Sequence, residues 1–209
     1  KDEFSERVET EEELRAFFID HGKMLGILHN TAYEEFMKML GRLQDPDEGF
    51  EDDSLDFMKK HDIPYVPTLV APWICAMVGE ERGLSKEAVE KTKSAIGRHM
   101  ASFKKAVAKG IRIAMGTDAG TPFCEHGKAY IGELKLMVEG GYTPMQAITA
   151  ATKSSAEVVG VSDSRGTLEP GKEADFLVLD VNPLDNLEAF GDIREVYQGG
   201  RRVERKYHR

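Results

Sequence analysis

Gly110-Ile111-Arg112-Ile113-Ala114-Met115-Gly116-Thr117-Asp118-Ala119-Gly120-Thr121-Pro122 is the stretch that decides the fold. Ile111, Ile113 and Met115 alternate with smaller or polar residues, the period of a β-strand. Gly116 and Gly120 bracket a turn, and a Gly/Pro loop follows. Asp118 is the single carboxylate here, at the point where the strand gives out. A carboxylate there is costly to desolvate unless it is paired, hydrogen-bonded or metal-bound. Two readings stand. Either Asp118 caps the following turn, or it is a functional group at the C-terminal strand ends, which form the active face when β/α units close into a barrel.

Working outward, the helix that feeds this strand is predicted over Ser85 to Lys109, with Ser85 as its cap and Val89, Ile96, Phe103 and Val107 on its apolar side. Upstream, Ile63 to Val70 reads as a strand carrying Pro64 and Pro67, which confine it to a strand end or edge. Pro72-Trp73 is placed in the loop after it, where Trp73 either lines a pocket or packs as an ordinary aromatic. Ser54 to His61 is a short helix, and Gly41 to Asp53 is polar and acidic. Downstream, the loop Thr121 to Gly127 leads to a helix through Leu134, Met137 and Val138. Thr143-Pro144-Met145-Gln146 has capping-box spacing with Pro at the first helical position. Ala147, Ile148, Ala151, Ala156 and Val159 are expected to be buried helical packing.

Lys23 to Thr31 repeats the strand pattern: Met24-Leu25-Gly26-Ile27-Leu28 runs into His29-Asn30-Thr31, and a helix face of Tyr33, Phe36, Met37 and Leu40 follows. A neutral imidazole at such a strand end suits a metal; satisfaction of His29 by local backbone is the other reading. Leu14, Phe17 and Phe18 form an amphipathic helix capped by Thr10 and Glu13 and ending near Gly22. His21 suits the dipole at that helix end. After Gly166 the pattern changes. Ala174 to Asp180, Ile193 to Gln198 and Arg201 to Glu204 read as strands, and Gly199-Gly200 is a two-residue hairpin signal.

Composition narrows the function classes. The net charge is −9, so the chain has no electrostatic footprint for nucleic acid. No apolar run is long enough to span a membrane, and no signal peptide opens the sequence. Cys75 and Cys124 form no C-x-x-C motif and read as reduced thiols of a cytoplasmic protein. Lys1 in place of an initiator Met suggests that the sequence begins inside a larger protein.

Gly116-Thr117-Asp118-Ala119-Gly120-Thr121-Pro122, His126-Gly127, Glu133-Leu134 and Thr143 through Thr152 together resemble the C-terminal half of the metal-dependent amidohydrolase superfamily. The nearest branch is that of imidazolonepropionase and the Xaa-Pro or Xaa-Arg dipeptidases. Gly166 through Asp180 resembles that family's return into its β-sandwich. Leu25 to His29 is similar to the fifth barrel strand, and Val66-Pro67-Thr68-Leu69 to the seventh. The resemblance implies an α/β fold: the C-terminal half of a (β/α)8 TIM-type barrel over residues 1–165, and strands of a small β-sandwich over 166–209.

The resemblance also implies roles. Asp118 corresponds to the eighth-strand Asp, a metal ligand and proton shuttle. His29 corresponds to the fifth-strand metal ligand, and His126 sits in the loop that faces the substrate. The implied cofactor is a divalent metal of the Zn type, and the implied reaction is hydrolysis of an amide or peptide bond in a small molecule, a dipeptide or cyclic amide. Other expectations are no nucleic-acid or membrane partner, dependence on an N-terminal half, and compatibility with a homo-oligomer. Two departures qualify these roles. The family's first-strand His-x-His and its bridging Lys or Glu belong to strands outside these residues. Where the sixth strand usually ends in Glu-His-Gly, this chain has Asp47-Glu48-Gly49, so that Glu48 replaces the His as an oxygen ligand or the site is altered or lost. The resemblance therefore leaves three alternatives to a complete hydrolase of this kind: a deaminase or cyclic amidohydrolase of the same superfamily, a non-catalytic amidohydrolase-like protein, and one chain of a split enzyme.

Overall fold

Ser85 accepts a hydrogen bond from the Ala88 amide and opens the longest helix of the chain's described residues. The computed structural model describes residues 50–121 and 123–204. The predicted Thr10–Gly22 helix, His21, the predicted His29 strand and Glu48 lie outside them. Two compact units divide the chain, residues 1–63 and 64–209.

In the first unit, helix α1 spans Phe50–Lys60, four residues earlier than the periodicity suggests. Leu55 and Phe57 are buried. The helix stops at a left-handed Asp62, φ +50°. The amide of Ile63 reaches back to the Met58 carbonyl and that of Asp62 to Lys59, so the last carbonyls are satisfied.

In the second unit, the expected strand from Ile63 to Val70 is shorter than predicted, and the loop after it is a helix. Tyr65 makes one parallel bridge to Ile113, through Tyr65 N–H to Arg112 O at 2.8 Å and Ala114 N–H to Tyr65 O at 3.1 Å. Helix α2, Val70–Val78, starts immediately afterwards. Pro72 occupies its first turn, where no intrahelical partner exists for an amide hydrogen, so the missing N–H costs nothing. Trp73 lies on this helix and is 40% exposed.

Helix α3 spans Lys86–Ala108 and buries Val89, Phe103 and Ala106. Gly110, φ +64°, ends it. Ile111 N–H returns to Ala106 O and Gly110 N–H to Val107 O, which aims the chain into segment 111–118, where the expected strand is reduced to the single bridge at Ile113. Ile111, Ile113 and Ala114 of that segment are buried. Helix α4, Ala129–Glu139, buries Leu134, Leu136 and Met137. Helix α5, Pro144–Thr149, opens with the expected capping box: Thr143 Oγ1 accepts from Gln146 N–H, and Gln146 Oε1 accepts from Thr143 N–H.

A π-turn, Ala150–Ser154, interrupts the helix before α6, Ser155–Val158. The wider turn leaves the Ala150 carbonyl facing the 111–118 segment, where it accepts Met115 N–H at 3.1 Å. Ser155 Oγ donates to the same carbonyl at 2.7 Å. Ala147 and Ala156 are buried as expected, but Val159 is 69% exposed. The inserted residue shifts the apolar face, and Val159 falls beyond the end of α6.

The last segment is a three-stranded antiparallel sheet in the order β1-β2-β3: Phe176–Leu179, Ile193–Gln198 and Arg201–Arg202. Phe176 pairs with Tyr197 and their rings stack at 4.5 Å. Gly199 and Gly200, φ +54° and +74°, make the hairpin turn, as the Gly-Gly dipeptide requires. A 3-10 turn, Leu187–Gly191, ties this part to α4: Tyr130 donates its hydroxyl to the Phe190 carbonyl, and Lys135 pairs with Glu188.

Candidate active site

Asp118 stands at the end of the 111–118 segment, exposed and in a left-handed conformation, φ +51°. A non-glycine residue takes this conformation at a cost that Asp bears better than most. The turn beyond it is closed by its own hydrogen bonds. Asp118 O accepts both Thr121 N–H, at 3.2 Å, and Thr121 Oγ1, at 2.8 Å. Gly120 N–H donates to Cys124 O at 2.9 Å. The buried Cys124 thiol donates to Thr117 O at 3.1 Å, and burial pushes this thiol up from its ordinary range. The turn capped by Asp118 and the exposed carboxylate coexist, because the main-chain oxygen does the capping and the side chain is left to solvent.

His126 returns over this turn. A Cβ built at Gly120 would lie 3.3 Å from His126 Nε2, so the absence of a side chain at 120 lets the imidazole approach within two residues of Asp118. His126 is exposed. Beside it, Glu125 pairs with Lys128 at 2.7 Å, which holds the Glu125 carboxyl below its usual range. The structure therefore brings Asp118 and His126 to one loop; His29 lies outside the described residues.

Three residues near this loop were not singled out from the sequence for the site. Glu133 is the one fully buried charged residue among the described residues. Its carboxylate accepts Leu69 N–H at 3.0 Å and Val70 N–H at 2.7 Å, at the start of α2. His99 on α3 meets Pro67 O through Nε2 at 2.6 Å. Thr68, between these contacts, is left-handed at φ +52°. An acidic residue flanked by Ile131, Leu134 and Met137 was the available signal for Glu133; the left-handed Thr68 had none.

Burial pushes the Glu133 carboxyl up to about 7, with the hydrogen bonds from Leu69 and Val70 working in the opposite direction. The folded state therefore holds this proton more tightly than an unfolded chain does, with its ordinary 4.5. The stabilisation is full below that value and is lost as pH rises through 7, amounting to about 3 kcal/mol across the window. Urea unfolding of the full-length protein between pH 4.5 and 8 should show this decline, and Glu133→Gln should flatten it. An equal slope in both proteins would remove Glu133 as its source.

Among the described residues no group of three His, Cys, Asp or Glu side chains surrounds a point that could hold a metal. Asp118 fits as one oxygen ligand, being a carboxylate that its own turn leaves open to solvent. A complete centre requires ligands from beyond these residues.

The family model for the amidohydrolase family matches residues 17–203. Ochratoxinase of Aspergillus niger is 35% identical over 152 residues, which are 70% of this chain and 30% of that protein. Imidazolonepropionase of Deinococcus deserti is 32% identical over 114 residues, 52% of this chain and 28% of that protein. A Xaa-Pro dipeptidase crystallised with methionine in its active site superposes with a TM-score of 0.65 and 31% identity, over 73% of this chain and 37% of that one. The chain thus spans about a third of the length of the curated relatives it matches. The likeness supports a partial (β/α)8-type barrel for the α/β part. With the match running through nearly the whole sequence, the chain belongs to the amidohydrolase family.

Proposed function

We propose that the full-length protein is a metal-dependent hydrolase of an amide or peptide bond in a small substrate, with Asp118 as catalytic residue and metal ligand. The observation that carries this reading is the placement of Asp118: an exposed, left-handed carboxylate at the end of a parallel segment, in a chain of the amidohydrolase family. Relatives named as ochratoxinase and Xaa-Pro dipeptidase support the substrate class.

In this reading His29 and Asp118 hold a divalent ion of the Zn type, which takes His nitrogen and carboxylate oxygen. When bound, the metal supplies Lewis-acid chemistry, activating water and polarising the scissile carbonyl. Asp118 accepts the proton of the attacking water at a carboxylate oxygen and passes it to the leaving amine. His126, folded over Gly120, contacts the substrate from the loop side. Residues 1–165 then form the barrel portion and 166–209 the return into a β-sandwich, in a cytoplasmic protein.

The Asp47-Glu48-Gly49 stretch, where the family pattern has Glu-His-Gly, favours a second reading: an amidohydrolase-like protein without catalysis. Metal content separates the two. Full-length protein should copurify with a stoichiometric divalent metal and hydrolyse members of a panel of Xaa-Pro dipeptides and N-acyl amino acids. His29→Ala should lower metal content and turnover together. Wild-type metal content and unchanged turnover in that variant would place the centre elsewhere, and a metal-free, inactive wild type would favour the second reading.

A further inference from the structure

Glu133 and His99 come from different helices, yet both act on one four-residue segment beside the Asp118 turn. His99 Nε2–H, from α3, donates to Pro67 O at 2.6 Å. The Glu133 carboxylate, from α4, accepts Leu69 N–H and Val70 N–H at 3.0 and 2.7 Å. Main-chain atoms on either side of Thr68 are thus fixed by side chains, and Thr68 itself is left-handed, φ +52°. For a β-branched residue this is an outlier, which persists only where the surroundings over-determine it. Such strain clusters at functional sites.

The register shows what the strained residue touches. Tyr65 bridges Ile113 in parallel, so Thr68, three residues on, comes level with Gly116. A Cβ built at Gly116 would lie 2.5 Å from Val66 Cγ1 and 3.3 Å from Thr68 Oγ1. The Thr68 hydroxyl, with Val66 Cγ1 beside it, therefore occupies the space that a side chain at Gly116 would fill, at the base of the Gly116-Thr117-Asp118 turn. Capping of α2 by Glu133 accounts for the bonds to Leu69 and Val70. It accounts neither for the His99 bond nor for a threonine held left-handed between them.

We propose that Glu133 and His99 are positioning residues of the hydrolytic centre: they hold Thr68 left-handed, so that its hydroxyl seats against Gly116 and fixes the turn presenting Asp118. This rests on the reading of Asp118 given above. Shifting the turn by a fraction of an ångström changes the placement of the proton-transferring oxygen more than it changes substrate affinity, so the effect falls on kcat.

The test uses the full-length protein and the panel dipeptide that it turns over fastest, with kcat expressed per bound metal. Glu133→Gln keeps the shape and one acceptor oxygen, but cannot accept both amides. Thr68→Val keeps the β-branch and removes the hydroxyl; Thr68→Ser keeps the hydroxyl. Glu133→Gln and Thr68→Val should each lower kcat by about tenfold, with KM within about twofold, and Thr68→Ser should retain wild-type kcat. In a Thr68→Gly background, where the left-handed conformation carries no steric penalty, Glu133→Gln should lower the unfolding midpoint by less than it does alone. A purely structural role predicts lost stability with unchanged kcat per bound metal, and that result would overturn the proposal while leaving the hydrolase reading intact. Absence of turnover of every probe by the wild type would overturn the hydrolase reading and this one with it.

Discussion

Asp118→Asn in the full-length protein should lose about two to four orders of magnitude in kcat while unfolding at nearly the wild-type urea concentration. The amide keeps the size of the carboxylate and is tolerated at φ +51°, so the turn is retained. What disappears is an oxygen that can take a proton, and general acid–base groups are worth about 100- to 10,000-fold. Asp118 O, not the side chain, holds the turn through Thr121, which separates chemistry from folding at this residue. Asp118→Ala should be equally inactive but slightly less stable, because alanine bears the left-handed conformation less well than asparagine. Asp118→Gly should be inactive with its stability kept, since glycine adopts that conformation freely. Steady-state turnover and urea midpoints of the three variants check this. Turnover within threefold of wild type in Asp118→Asn would remove Asp118 from the chemistry.

Phe103→Ala should be the most damaging single change to stability in the 64–209 unit, at about 3–5 kcal/mol. Phe103 is fully buried on α3. Its ring meets Tyr142 edge-on at 5.6 Å and an interplanar angle of 64°. On the other side the backbone comes so close that a Cβ at Gly140 would sit 2.3 Å from the ring. The ring thus fills the space where the end of α4 turns over α3, and Gly140 has no side chain with which to refill it. Phe103→Leu should cost less than half as much, because most of the buried volume is kept. Urea unfolding of the two variants tests the ranking; an Ala variant within about 1 kcal/mol of wild type would mean that the site collapses around the lost ring.

Much of the local architecture could be read without coordinates, because its causes lie within a few residues. Ser85, the Thr143–Gln146 box, Gly110 after α3 and Gly199-Gly200 at the hairpin each satisfy or redirect backbone groups one turn away. The position of Asp118 at the end of an apolar alternating run was legible for the same reason. The α2 helix was hidden because Pro64 and Pro67 before it resemble a strand end and Pro72 in its first turn resembles a loop, and its start is stabilised by Glu133, which is 63 residues away from Val70. The π-turn was equally invisible, since the partner of its freed carbonyl is Met115. Sequence alone determined the helix starts at Ser85 and Thr143, where the last strands pair and which carboxylate closes the decisive segment. Tertiary structure decided how the ends are held: the left-handed Thr68, the Glu133–His99 clamp and the fold of His126 over Gly120. Caps and turns are settled by hydrogen bonds between neighbours in the chain, whereas a strained backbone or a buried carboxylate persists only when distant elements converge on it.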